Sequence, residues 1–227
     1  MRFSPVILLL VGGVLAQTPP GFSPSTNATL GVKYGTVSAS KGSLVAIDDA
    51  AMSPSLSFAS TASPSHGSHV VVMVDLDAPN GTHDHPYAAF LHWLAFLPSG
   101  VESLPGNASN ASDFAPYFGP APPPGTGPHR YTVLLFKSEN ITLQVPPSFK
   151  SLSPATNISD RITFDIDKFA DEGGLELAAA NWFTSENETG TSENKTTTVT
   201  NGAPHNGSAG VVAAAVLGLL SCLFLAI

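Results

Sequence analysis

The chain has 227 residues, with 20 glycines, 20 prolines and only 11% charged side chains. That length holds one ordinary domain plus targeting segments, and a turn-rich composition disfavours long helices. A net charge of -8 with no run of Lys or Arg excludes binding along a nucleic-acid backbone, which needs a basic stripe.

Residues 1–16 read as a secretory signal. Arg2 is the positive start, the apolar run 6–15 is too short to span a bilayer comfortably, and cleavage after Ala16 leaves Gln17 first. The folded domain is expected over residues 22–186. Within it, residues 33–38 and 56–59 read as weaker strands. Residues 69–76 are almost continuously apolar and β-branched, so they read as a buried central strand. Residues 90–97 and 131–137 are two further apolar runs, the second preceded by the proline-rich stretch 120–128. Asp167 is placed to cap a short helix through Glu172, stopped by Gly173 and Gly174. Residues 178–184 form a last strand or turn. The pattern predicts a mostly β protein, an antiparallel β-sandwich.

Beyond the domain, residues 187–210 are rich in Ser, Thr, Asn and Gly and hold too little apolar surface to fold, as in a stalk. Residues 211–227 are apolar, short of a span, and followed by no basic residue. Small residues at 201–203 and a polar spacer precede them, the order of a glycolipid-anchor signal. Asn201 is the expected attachment residue and Ser208 a competing one; a plain tail helix is the alternative. The expected location is the cell surface, on the outer leaflet or the cell wall. Asn-x-Ser/Thr acceptor sites at Asn27, Asn80, Asn107, Asn110, Asn140, Asn157, Asn187, Asn194 and Asn206 agree with export. The one cysteine, Cys222, lies in the tail, so a cleaved chain has no disulfide and no thiolate.

Three polar clusters sit at the ends of the strongest strands. In Asp75-Leu76-Asp77-Ala78-Pro79, alternation puts both carboxylates on one face if the strand continues. Unpaired burial of two carboxylates is costly, and a solvated turn is the plain alternative. The second cluster spans Tyr87 to Trp93. Alternation there puts His92 on the face of Leu94 and Phe96, an apolar setting. The third contains Pro123 and the run Gly125-Thr126-Gly127-Pro128-His129-Arg130-Tyr131. Its glycines permit unusual φ angles and its prolines stiffen the loop. His129 and Tyr131 face one way and Arg130 the other.

The Asp-x-Asp-x-Pro turn, the His-Trp strand and the Gly-Pro-x-Pro-Pro-x-Gly-x-Gly-x-His-Arg-Tyr loop stand in an order and spacing that resembles the phosphatidylethanolamine-binding protein family, over residues 34–186. The resemblance implies a large antiparallel sheet packed on a smaller one, with a short C-terminal helix. It also implies a small pocket that accepts phosphate, acetate or a phospholipid headgroup. By position, that pocket is lined by Asp75, Tyr87, His92, Pro123 and His129 and supported by Asp77, Gly127, Tyr131 and Phe183. Leu76 stands where the family usually has proline, and Phe183 where animal members often have tyrosine. Two imidazoles can present N–H donors to a phosphoryl oxygen, with Asp75 fixing a tautomer or taking an ammonium group. No metal or other cofactor is expected: His83, Asp84 and His85 are loop neighbours that point different ways. His66-Gly67-Ser68-His69 lacks a Gly-x-Ser-x-Gly elbow, so a small hydrolase is disfavoured and a binding module expected. The resemblance also makes a serine carboxypeptidase a candidate partner, with the protein as its inhibitor.

Overall fold

The segment Ser-His-Val-Val-Val-Met-Val-Asp forms strand β5 (Ser68–Asp75), and all eight of its residues are buried. A strand can bury both faces only between two layers. Val70, Val72 and Val74 enter one apolar cluster, and Val71 and Met73 enter the other. The computed structural model describes residues 16–58, 67–78, 89–98, 101, 103–105, 112–139, 144–152, 155 and 157–188.

The strands before β5 are β1 (Gly31–Tyr34), β2 (Val37–Ala39), β3 (Ser43–Leu44) and β4 (Ser55–Ser57). After it come β6 (Phe90–Leu97), β7 (Ser103–Leu104), β8 (Ser112–Ala115), β9 (His129–Ser138), helix α1 (Ile166–Gly173) and β10 (Glu176–Ser185). Among the described residues these make a four-stranded sheet, ordered β2-β1-β4-β7, and a six-stranded sheet, ordered β3-β10-β9-β5-β6-β8. The small sheet covers one face of the large sheet through Val32, Tyr34, Leu56 and Leu104. On the other face, Phe164, Ile166 and Phe169 of the α1 region pack against Val72, Leu91 and Leu134. The architecture is the expected two-sheet sandwich with a short C-terminal helix. All described residues fall in one compact unit.

Several expectations need correction. The strand expected over 33–38 is two strands, because Gly35 turns the chain with φ +56 and Tyr34 pairs with Val37. The helix is capped by Asp165, whose side chain accepts the Lys168 N–H at 2.9 Å; Asp167 lies inside the first turn. The pairing of β10 with β3 is parallel within an otherwise antiparallel sheet. The signal segment 1–15, the chain beyond residue 188 with Asn201 and Ser208, and the acceptor sites Asn80, Asn107, Asn110, Asn140, Asn194 and Asn206 lie outside the described residues. Asn27 and Asn157 are exposed and Asn187 is half-buried.

One polar side chain ties the two sheets together. Asn181, on β10, is buried, and its amide nitrogen donates to the carbonyls of Leu30 and Ala39 at 2.8 and 3.2 Å. Its amide oxygen accepts from Lys41 and Trp182 N–H groups at 3.1 and 2.9 Å. Replacing Asn181 with Leu keeps the volume and strands those groups. We expect a loss of about 3 kcal/mol in unfolding free energy, measured by denaturant titration. A loss indistinguishable from zero means the tie contributes nothing.

Candidate functional site

Antiparallel pairing makes the end of β5 the start of both β6 and β9. Asp75 therefore lies opposite Phe90 on one side and Tyr131 on the other. This register gathers three sequence-distant polar residues, Asp75, His92 and His129, at one end of the central strands of the large sheet. Asp75, His92 and His129 are each buried, and all three line a cleft of about 320 Å3. Pro123 lines it as well. Two larger surface depressions, of about 640 and 650 Å3, bring no such buried titratable set together.

Alternation alone misplaces His92. Met73 pairs with Trp93 and Val74 with Leu91, so His92 is the extra residue of a β-bulge. The bulge turns its ring away from the Leu94 face and sets it edge-on to Tyr131, ring centroids 5.1 Å apart. Its Nδ1 lies 2.7 Å from the Phe118 carbonyl, and the Phe118 N–H returns to the His92 carbonyl at 2.8 Å. Behind it, the buried Arg161 donates to the carbonyls of Leu91, His92 and Pro116 at 3.1, 3.1 and 2.8 Å. Arg161 thereby staples the bulge to the segment that carries Phe118.

The strand ends at Asp75, so the two aspartates of the turn do not share a face. Asp75 Oδ2 meets His129 Nδ1 at 2.8 Å, and its Oδ1 accepts the Asp77 N–H at 2.8 Å. Asp77 turns outward to Arg130, accepting from its N–H, Nε and Nη2 at 2.8, 2.9 and 2.7 Å. Neighbouring positions on β9 thus serve neighbouring carboxylates on opposite sides. The Asp77 carboxyl lies below its ordinary range: burial acts to raise it, and the hydrogen bonds and charge of Arg130 together outweigh burial.

Thr126 Oγ1 stands 2.8 Å from both the Pro123 carbonyl and His129 Nε2, and so ties the histidine to its own loop. Both nitrogens of His129 are engaged, Nδ1 by Asp75 and Nε2 by Thr126, so neither stands free to donate to a phosphoryl oxygen as expected. Tyr131 is fully buried, and its hydroxyl stands beside Asp75 without a well-formed bond to it. Burial first, and then the charge of Asp75, push its pKa up.

Phe183 does not line the cleft. It stacks on Tyr131 at 5.3 Å inside the core and so braces it. Gly127 takes φ +80 in the loop that delivers His129. Tyr87, with His83, Asp84 and His85, lies outside the described residues. Among the described residues, no group of three or more His, Cys, Asp or Glu could hold a metal ion. Sequence reading passed over the rim. Phe118, Ile158 and Ile162 line the mouth yet are 44%, 66% and 42% exposed, an apolar collar around a polar floor. Isolated apolar residues in loops carry no periodic signal that would have marked them.

Residues 23–192 match the family model described as phosphatidylethanolamine-binding protein. Among curated proteins, the chain is 36% identical over 194 residues to the phomoidride biosynthesis cluster protein N of Talaromyces stipitatus, covering 78% of this chain and 94% of that protein. It is 32% identical over 136 residues to the carboxypeptidase Y inhibitor of Saccharomyces cerevisiae, covering 51% of this chain and 58% of that protein. Among solved structures, the carboxypeptidase Y inhibitor complexed with its cognate proteinase superposes with a TM-score of 0.53 at 23% identity, over 71% of this chain and 84% of that one. A phosphatidylethanolamine-binding protein from Plasmodium falciparum gives 0.51 at 19% identity, over 69% and 84%.

Two outcomes follow from the ion pairs. Removing either member of the buried Asp75–His129 pair strands the other, so Asp75→Ala and His129→Ala should each cost about 3 kcal/mol. The double variant should cost clearly less than their sum, as a denaturation cycle will read; strict additivity means the pair is not coupled. Asp77 is depressed in the folded state, so its contribution is present above the ordinary carboxylate range and lost as pH falls through it. Because Arg130 is 40% exposed, Asp77→Asn should cost at most about 1 kcal/mol near neutrality, and less in acid. A cost that grows in acid contradicts the assignment.

Proposed function

The chain belongs to the phosphatidylethanolamine-binding protein family, and from that premise we propose that it is a non-catalytic, extracellular binding module for phosphate-bearing small molecules or phospholipid headgroups. The observation that carries this reading is the convergence of Asp75, His92, His129 and Pro123 in one cleft beneath an apolar rim. A polar floor suits an oxygen-rich head, and the rim suits whatever is attached to it. The signal-like start, the acceptor sites and the anchor-like tail of the sequence support a cell-surface location.

The arrangement that comes nearest to machinery is Thr126, His129 and Asp75, a hydroxyl, an imidazole and a carboxylate in line at hydrogen-bond distance. We read it as a brace for the loop. Thr126 Oγ1 also lies 2.8 Å from the Pro123 carbonyl, which competes for the hydroxyl hydrogen that a nucleophile would give to the imidazole.

A second reading, inhibition of a serine carboxypeptidase, is favoured by the likeness to the carboxypeptidase Y inhibitor of Saccharomyces cerevisiae. Incubating the secreted protein with carboxypeptidase Y separates the two: inhibition that survives His129→Ala supports a surface used apart from the cleft.

We expect native mass spectrometry of the secreted protein to show a phosphate-bearing ligand that His129→Ala loses. Panels of phospholipids, phosphomonoesters and carboxylic esters should give no product above the Thr126→Ala and His129→Ala controls. Turnover that either substitution abolishes would place the protein among enzymes.

A further inference from the structure

The expected signal cut falls after Ala16 and leaves Gln17 as the first residue of the mature chain. Chain ends are ordinarily exposed and frayed. This one is built into the fold. Gln17 and Thr18 are only 6% and 3% exposed. The Gln17 backbone nitrogen donates to the Thr26 carbonyl at 2.8 Å and closes a loop. Inside that loop the Phe22 N–H donates to the Pro19 carbonyl at 3.0 Å, and the Phe22 ring packs on the apolar cluster that helix α1 enters. Just beyond the loop, the Ala28 carbonyl accepts the Ala180 N–H at 3.0 Å, which anchors the segment on β10.

A freshly cut N-terminus does not suit this position. Near neutral pH its amine is mostly an ammonium with three hydrogens, and one backbone carbonyl, that of Thr26, receives the nitrogen. Residues 17–30 contain no Asp or Glu, and no described ion pair reaches them. Burying an unpaired charge is costly. The glutamine side chain offers a way out. Its Oε1 is buried with no hydrogen-bond partner among the described residues, so no bond to that oxygen holds the amide away from the amine. In ring closure the α-nitrogen forms a bond to Cδ and the Cδ–Nε2 bond breaks. Nε2 departs as ammonium, taking the charge and two of the three hydrogens of the terminus. Nothing is oxidised or reduced, and no co-reactant is consumed. The product is pyroglutamate, a neutral lactam with one N–H. One donor then faces one acceptor.

Resting on the reading of residues 1–16 as a cleaved signal, and not on what the cleft binds, we infer that Gln17 of the mature chain is cyclised to pyroglutamate. Its lactam N–H, on the Thr26 carbonyl, locks the start of the chain into the domain. The uncut chain makes this bond through an ordinary peptide N–H. A lactam reproduces that amide N–H after the cut, and an ammonium does not.

The test uses the full chain exported with its own signal. Amines of the intact folded protein are dimethylated before digestion, so that an open Gln17 is trapped and cannot cyclise during handling. The N-terminal peptide should begin at residue 17, carry no label on its α-nitrogen and be lighter than the open form by one ammonia. The exported Gln17→Asn variant keeps an amide on a stem too short to close the ring. It should take the label and melt about 3 °C below the wild type. Labelled Gln17 in most wild-type chains overturns the inference and leaves the signal reading standing. A first residue other than Gln17 overturns the signal reading, and the inference with it. A labelled variant that melts with the wild type overturns the lock.

Discussion

A carboxylate buried at the end of a strand has to be answered by a partner, and the Asp75–His129 pair is that answer. Leaving an ionised group unpaired in an apolar setting is the most costly arrangement available to a small domain. Meeting the demand fixes much else. His129 must stand at the start of β9, next to Asp75 at the end of β5, which the antiparallel register secures. The loop before β9 must then deliver His129, and it does so through Gly127 in a left-handed conformation and the Thr126 brace on Pro123.

The second constraint is steric. His92 would face the helix layer if β6 were regular. The bulge moves it to the side of Tyr131 and Asp75, and the freed backbone is satisfied by Phe118 and Arg161. A buried guanidinium that meets only carbonyls is unusual, because Arg is seldom buried without a carboxylate. Here it closes the backbone accounts of three segments at once. It also lies behind His92, where its charge reaches that ring. The same side chain thus supports the local fold and biases the site toward negative charge.

Membership of a family named for phosphatidylethanolamine says what sort of cleft to expect, and the hydrogen-bond pattern says what the cleft can accept. The buried Asp75–His129 pair and His92 under an apolar collar differ from a ring of exposed cationic donors. The likeness to the carboxypeptidase Y inhibitor belongs to a different surface question, because solved structures below a quarter identity share the fold and nothing more specific.

Much was legible in the sequence because it rests on short-range rules. The run of Val and Met in β5 announces a strand buried on both faces, and the spacing of the aspartate turn and the Gly-Pro-His loop points to the right strand ends. The alternation on β9 that sends His129 and Arg130 to opposite sides needs only the pleat. What the sequence could not convey depends on where chains meet. A bulge is a property of pairing between two strands, so nothing local in Phe-Leu-His-Trp shows that His92 changes face. The end of β5 at Asp75 decides that Asp77 seeks Arg130 and not a shared partner. The anchoring of His92 Nδ1 on Phe118 and of His129 Nδ1 on Asp75 depends on groups brought in from other segments. The collar of Phe118, Ile158 and Ile162 exists only because loops distant in sequence meet over one strand edge. Residue type and period determined the layers; which hydrogen-bonding atoms remain open was settled by tertiary contact alone.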